Sequence, residues 1–146
     1  MPLLRLSPSV RGVVVVPAGD AFSAGQVDAI ERAIDQARAE SDLDFSVFVG
    51  APEGDLREQG RRLLAALGED ADRSVVVAVD PAQRRLEILT GVTAARYLDD
   101  RATALGAMSM TSSFAAGDLA GGIVAGLHTL SEHARHPRTL HSGLAD

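Results

Sequence analysis

The segment Ser74-Val75-Val76-Val77-Ala78-Val79 runs into Asp80-Pro81-Ala82-Gln83 and out again as Leu86-Glu87-Ile88-Leu89-Thr90-Gly91. Two runs rich in β-branched and aliphatic residues, joined by a Pro-containing reversal, read as adjacent antiparallel strands. The apolar runs Val13–Val16 and Val75–Val79 have the length of strands. Two helical segments follow, split by Phe114-Ala115-Ala116-Gly117-Asp118. A sheet sandwiched by helices is the architecture that this order demands.

The segments upstream fit the same plan. Arg11–Val16 is a short β-branched run stopped by Pro17-Ala18-Gly19-Asp20. Ser23 is placed as an N-cap, with Gln26 completing a capping box. Behind it Val27, Ile30, Ala33, Ile34 and Ala37 keep the spacing of one buried helix face. Asp44–Gly50 reads as a strand with Phe45, Val47 and Val49 on one face and Phe48 on the other. Leu56, Gly60, Leu63, Leu64 and Leu67 mark a second amphipathic helix ending at Gly68. The third helix is expected from Asp99 or Asp100 to about Ser112, and the fourth from about Asp118 to near Ala134. The tail from His136 lacks periodicity and is expected to be loosely ordered. The expected fold class is α/β, a three-layer α/β/α sandwich on a mixed sheet. Residues 1–135 form the single domain, with its core at about 22–130, and residues 136–146 form the tail.

Composition narrows the function. At 46% hydrophobic the chain can bury a core, yet no apolar run approaches the roughly 18 residues of a membrane span. The net charge of -6, with basic residues scattered, argues against a nucleic-acid surface. All basic side chains other than histidine are Arg, which excludes Schiff-base chemistry and a P-loop lysine. The absence of Cys excludes thiolate nucleophiles, disulfides and Cys-ligated zinc. The N-terminus has no basic flank followed by an apolar stretch, so it does not read as a signal peptide, and a cytoplasmic location is expected.

Candidate chemistry gathers at the acidic pairs Asp42/Asp44, Asp70/Asp72 and Asp99/Asp100, and at Asp118, all at expected element ends. Carboxylates brought together from distant segments can hold a hard cation. Single aspartates at these places also serve as helix caps and turn residues. The spacing of Asp70 and Asp72 does not make an EF-hand. His128 and His133 stand five apart, on different helix faces, and His136 and His141 read as solvated tail residues. Ser109, Met110, Thr111, Ser112 and Ser113 crowd the end of the third helix without a nucleophile elbow. Gly122 and Gly126, four apart, suit close helix packing rather than a phosphate loop.

The residues from Phe22 to Leu130 resemble the TPM domain family, the thylakoid acid phosphatase or photosystem-repair type. The likeness is carried by Phe22-Ser23 entering the first helix, by Asp72 before the hairpin, and by Arg85, Glu87 and Gly91 in an Arg-x-Glu-x-x-x-Gly strand. Asp99 or Asp100 opens the next helix, and Phe114, Gly117 and Asp118 match a Phe-x-x-Gly-Asp junction. The resemblance implies an α/β/α sandwich in which Asp72, Asp118 and one of Asp99 or Asp100 line a common acidic site. Members of the family are associated with calcium binding, acid phosphatase activity, or assembly and repair of membrane complexes. Here Arg73-Ser74 replace an Asn-Gly step, while Thr93 and Ala95 stand where a Gly and a Glu are usual.

The expected function is therefore a non-catalytic binding or assembly module. It is expected to use Asp72, Asp99, Asp100 and Asp118 at the acidic end of the sheet either for a divalent cation such as Ca2+ or for the surface of a protein partner. The alternative is a metal-dependent acid phosphatase in which Arg73 clamps the phosphate.

Overall fold

In the computed structural model of the protein, residues 13–15 and 22–145 are described, with side chains from 22 to 135. The order is β1 (Val13–Val15), α1 (Ala24–Ser41), β2 (Asp44–Val49), α2 (Leu56–Ala65), a 3-10 turn (Gly68–Arg73), β3 (Ser74–Asp80), β4 (Arg85–Thr90), α3 (Ala94–Tyr97), α4 (Asp100–Ala115) and α5 (Leu119–Ala145). The strands form one sheet in the order β1-β2-β3-β4. The first three are parallel, and β4 returns antiparallel on β3, with Val77 opposite Ile88. The mixed α/β sandwich expected from the sequence is the fold.

Strand alternation decides which face each side chain covers. Phe45, Val47, Val49, Val75, Val77 and Val79 are at most 1% exposed and pack with Ile30 and Ile34 of α1. Met110 of α4 and Ile123, Leu127 and Leu130 of α5 complete that core. Phe48, Val76, Ala78 and Leu89 point to the other face, where Leu56 and Leu63 of α2 cover them. The aliphatic content that looks excessive for one face is therefore shared between two.

α1 links β1 to β2 and α2 links β2 to β3, both stepping along the sheet in the same direction. The two helices lie on opposite faces, so one of the crossovers has the uncommon left hand. A consequence for the site is that α2 covers one face at β4 while α4 covers the other.

α1 starts as expected. Gln26 N–H donates to Ser23 Oγ at 3.2 Å, and Ser23 N–H donates to Gln26 Oε1 at 2.9 Å. α4 and α5 form an antiparallel pair in which the glycines permit close approach. A Cβ on Gly106 would stand 2.7 Å from Leu130, one on Gly122 2.8 Å from Ser113, and one on Gly126 would run into Met110.

Three details differ from the sequence-based expectation. α5 continues to Ala145 instead of stopping near Ala134; the side chains of residues 136–146, including His136 and His141, lie outside the described residues. Gly68–Arg73 forms a 3-10 turn and Ala94–Tyr97 a single helical turn. Both are too short to leave a periodic signal in sequence. The flanks of the expected strand Arg11–Val16 also lie outside the described residues.

Candidate functional site at the edge of β4

Gly91 holds the site together. Its N–H donates to Ser74 O at 2.9 Å, and Thr93 N–H donates to Asp72 O at 2.9 Å. The backbone of Ala71 and Asp72 lies directly against the Cα of Gly91, so a Cβ there would meet Ala71 O and stand 2.6 Å from Asp72 O. Only a residue without a side chain lets the 3-10 turn cross the end of β4 this closely.

Beside this crossing lies a cavity of about 760 Å³. Arg57, Arg61 and Leu64 of α2 line one side, Leu98, Asp99, Asp100 and Thr103 another, and Asp72 lines it beside Gly91. The floor is Ile88, Leu89, Thr90, Gly91 and Val92. Successive strand residues point to opposite faces, so a cavity lined by both Ile88 and Leu89 wraps around the strand's edge. Val92, 70% exposed, lies at the rim.

Asp72, Asp99 and Asp100 thus line one cavity. Asp99 is the N-cap of α4, its Oδ1 accepting the Ala102 N–H at 2.9 Å. Asp100 occupies the first turn, where the helix dipole favours negative charge. Part of the reason these acids sit here is therefore helix initiation.

Asp118 does not join them. It follows the far end of α4, a 16-residue helix that is about 24 Å long at 1.5 Å per residue. There it opens α5, accepting the Gly121 N–H on Oδ1 at 2.9 Å. It lines a separate cavity of about 560 Å³ between α1 and α5, with Gln26, His128 and Ser131. The Phe-x-x-Gly-Asp junction is a helix–helix corner between α4 and α5, so the common acidic site implied by the resemblance does not include Asp118. Among the described residues no three His, Asp or Glu side chains are grouped as a metal cage.

Arg73 is also directed elsewhere. Its guanidinium donates to Asp42 O at 2.7 Å and contacts Asp42 Oδ2 at 3.3 Å. Asp42 is the left-handed C-cap of α1, with φ of 66°, so this Arg ties a helix end to the turn before β3. Asp44 in turn lies 3.3 Å from Arg38. These two aspartates are tied to neighbouring arginines, away from the cavity.

The positive charge at the cavity comes from Arg57 and Arg61, which no sequence motif singles out. Their i, i+4 spacing on an amphipathic helix places both on one face, and that was the available signal. Arg57 Nη1 is 2.9 Å from Glu87 Oε1, and Arg61 Nη1 is 2.7 Å from Glu58 Oε2. A guanidinium has five N–H donors, so these single contacts leave each fork with further donors. His128 is 3.6 Å from Glu132, and the Ser109–Ser113 run lines neither cavity. One more group has no signal in the sequence: Asp80, at the end of β3, is 5% exposed, and its Oδ1 is buried without a hydrogen-bond partner.

Several solved structures share the fold, three of them as follows. The N-terminal domain of a protein from P. gingivalis superposes with a TM-score of 0.74 at 22% identity, covering 90% of this chain and 87% of its own. The N-terminal domain of the cg2496 protein from Corynebacterium glutamicum gives 0.71 at 18% identity, covering 84% and 79%. The BA42 protein from the psychrophilic bacterium Bizionia argentinensis gives 0.72 at 17%, covering 80% and 83%. At these identities the likeness is one of fold alone. No curated protein matches the sequence. A family model does match, over residues 3–131, and the chain belongs to that family, Domain of unknown function (DUF5130).

Proposed function

We infer that this protein is a binding module, and that its ligand enters the cavity at the edge of β4. The observation that carries this reading is the convergence of Asp72, Asp99 and Asp100 with Arg57 and Arg61 around an apolar floor. A cavity with an apolar body and a few charged groups of both signs suits oriented binding. Its aspartates carry structural tasks instead of a marked catalytic pairing: Asp99 caps α4 and Asp100 lies in the first turn of that helix. That favours binding over the phosphatase alternative, which also calls on Asp118 and Arg73, both placed elsewhere.

The test is a photoreactive side chain installed at Val92, on the cavity rim, and a second at Met108, which is 65% exposed and does not line the cavity. Adducts formed in cells from position 92 and absent from position 108 support the reading. Equal labelling, or none from position 92, removes it.

The geometry does not carry the divalent cation expected at Asp72, Asp99 and Asp100: among the described residues no three acids or histidines are grouped to hold a metal, and Asp99 is engaged as the cap of α4. Thermal melting in EDTA and across a calcium series checks this. A ligand at about 100 times its Kd adds roughly 2.7 kcal/mol, or about 5–10 °C in Tm. A saturable rise of that order, lost in Asp72→Asn, would reinstate the cation, and a flat response is expected.

A further inference from the structure

We propose that the cavity takes an extended peptide, added to the sheet as a fifth strand along β4, with acidic and basic side chains in alternation. The proposal rests on the binding-module reading and names its partner class.

The backbone geometry comes first. Gly91 N–H donates to Ser74 O, which fixes the phase of the antiparallel ladder. Gly91, Leu89 and Glu87 turn their N–H and C=O groups toward β3. The alternate residues Ile88 and Thr90 therefore turn theirs away from it. β4 ends the sheet order, so among the described residues no strand receives those groups. The cavity lies along this stretch, since its floor is Ile88–Val92. An open sheet edge inside a cavity is the arrangement used when a partner strand is added by main-chain hydrogen bonds.

The charges then select the occupant. A strand laid beside β4 sends successive side chains to opposite faces of the sheet. One set meets the α2 wall, where Arg57 and Arg61 keep guanidinium donors beyond their pairs with Glu87 and Glu58, and the other meets the α4 wall with Asp99 and Asp100. A peptide carrying acids at one parity and bases at the other satisfies both walls, whereas a segment of a single sign opposes one of them. Ile88 and Leu64, both half-buried, and the exposed Val92 pack against the aliphatic stems of those side chains.

The experiment uses the full chain, 15N-labelled, and two blocked synthetic pentapeptides: one alternating Glu-Lys-Glu-Lys-Glu, the other with the same residues in the order Glu-Glu-Glu-Lys-Lys. The alternating peptide is expected to shift the Ile88 and Thr90 amides and slow their exchange. The block-ordered peptide should bind at least about tenfold more weakly, because its charges cannot match both walls. Thr90→Pro removes an outward N–H without touching the bonds to β3 and is expected to abolish binding. Should that variant fail to fold, Arg61→Glu on the exposed face of α2 provides the same check and should weaken binding several-fold. Equal affinity for the two peptides, no binding, shifts confined to α1 and α5, or binding retained by the variants would each overturn the proposal. Concentration-dependent protection of Ile88 and Thr90 without any peptide would overturn it in favour of a second copy pairing edge to edge. If the peptides fail while the Val92 adduct persists, the cavity remains a binding site and only the added strand is lost.

Discussion

Replacing Gly91 by Ala tests the backbone crossing that lies beside the cavity. Gly91 is not among the glycines with a positive φ, so Ala meets no intrinsic backbone penalty there. The cost is steric: the new Cβ would overlap Ala71 O and stand 2.6 Å from Asp72 O and 2.7 Å from Asp72 C. Ordinary carbon contacts lie near 3.5–4.0 Å, so the 3-10 turn must retreat by about 1 Å. That movement weakens the 2.9 Å bonds from Gly91 to Ser74 and from Thr93 to Asp72. Two hydrogen bonds at about 1 kcal/mol each, with about 1–3 kcal/mol of overpacking, give a loss of about 3–5 kcal/mol. For a domain of this length the Tm should fall by about 10–15 °C, read by calorimetry and by urea unfolding. Gly54→Ala is the comparison, because Gly54 has φ of 92° and nothing lies within 4 Å of where its Cβ would stand. It carries only the left-handed penalty, about 1–2 kcal/mol. A Gly91→Ala protein as stable as the parent, or more stable than Gly54→Ala, would refute the close-crossing argument.

Other consequences are as specific. Asp99→Ala removes the cap on α4 and should cost about 1 kcal/mol in chemical unfolding, with Asp99→Asn retaining most of it. The Arg57–Glu87 pair is partly exposed, so a double-mutant cycle should return a coupling below about 1 kcal/mol that shrinks with salt. Asp80→Asn replaces a buried carboxylate having an unpartnered oxygen by an amide of the same shape. Because a buried charge without full pairing is costly, the variant should melt no lower than the parent; a marked fall in Tm would show that the carboxylate is held by its surroundings. Gly126→Ala forces Met110 aside, and should destabilise by about 1–3 kcal/mol, measured by denaturant titration.

The fold was legible because its signals are periodic. Val75–Val79 and Phe45–Val49 announce strands, and Ile123, Leu127 and Leu130 repeat at helical spacing to face the core. Ser23 and Gln26 mark a helix start through chemistry confined to four residues. The site was legible only where its residues are tied to those elements. Asp99 and Asp100 open α4, and Asp72 is held by the turn that leads into β3, so all three reach the same end of the sheet. Asp118 has the same sequence appearance, but the length of α4 lies between it and them. Arg73 was misread because its partner, Asp42, is 31 positions away and no local pattern joins them. Arg57 and Arg61 needed knowledge of which face of the sheet α2 covers. Sequence order alone assigns that face poorly when one crossover has the uncommon hand.

Amide hydrogen exchange along β4 in the isolated protein tests most directly the claim that the cavity opens onto an unpaired sheet edge. Alternation is expected: slow exchange at Glu87 and Leu89, whose amides face β3, and fast exchange at Ile88 and Thr90, whose amides face away from it. Uniform protection of all four amides would show that the edge is already covered, and would contradict the placement of a binding site there.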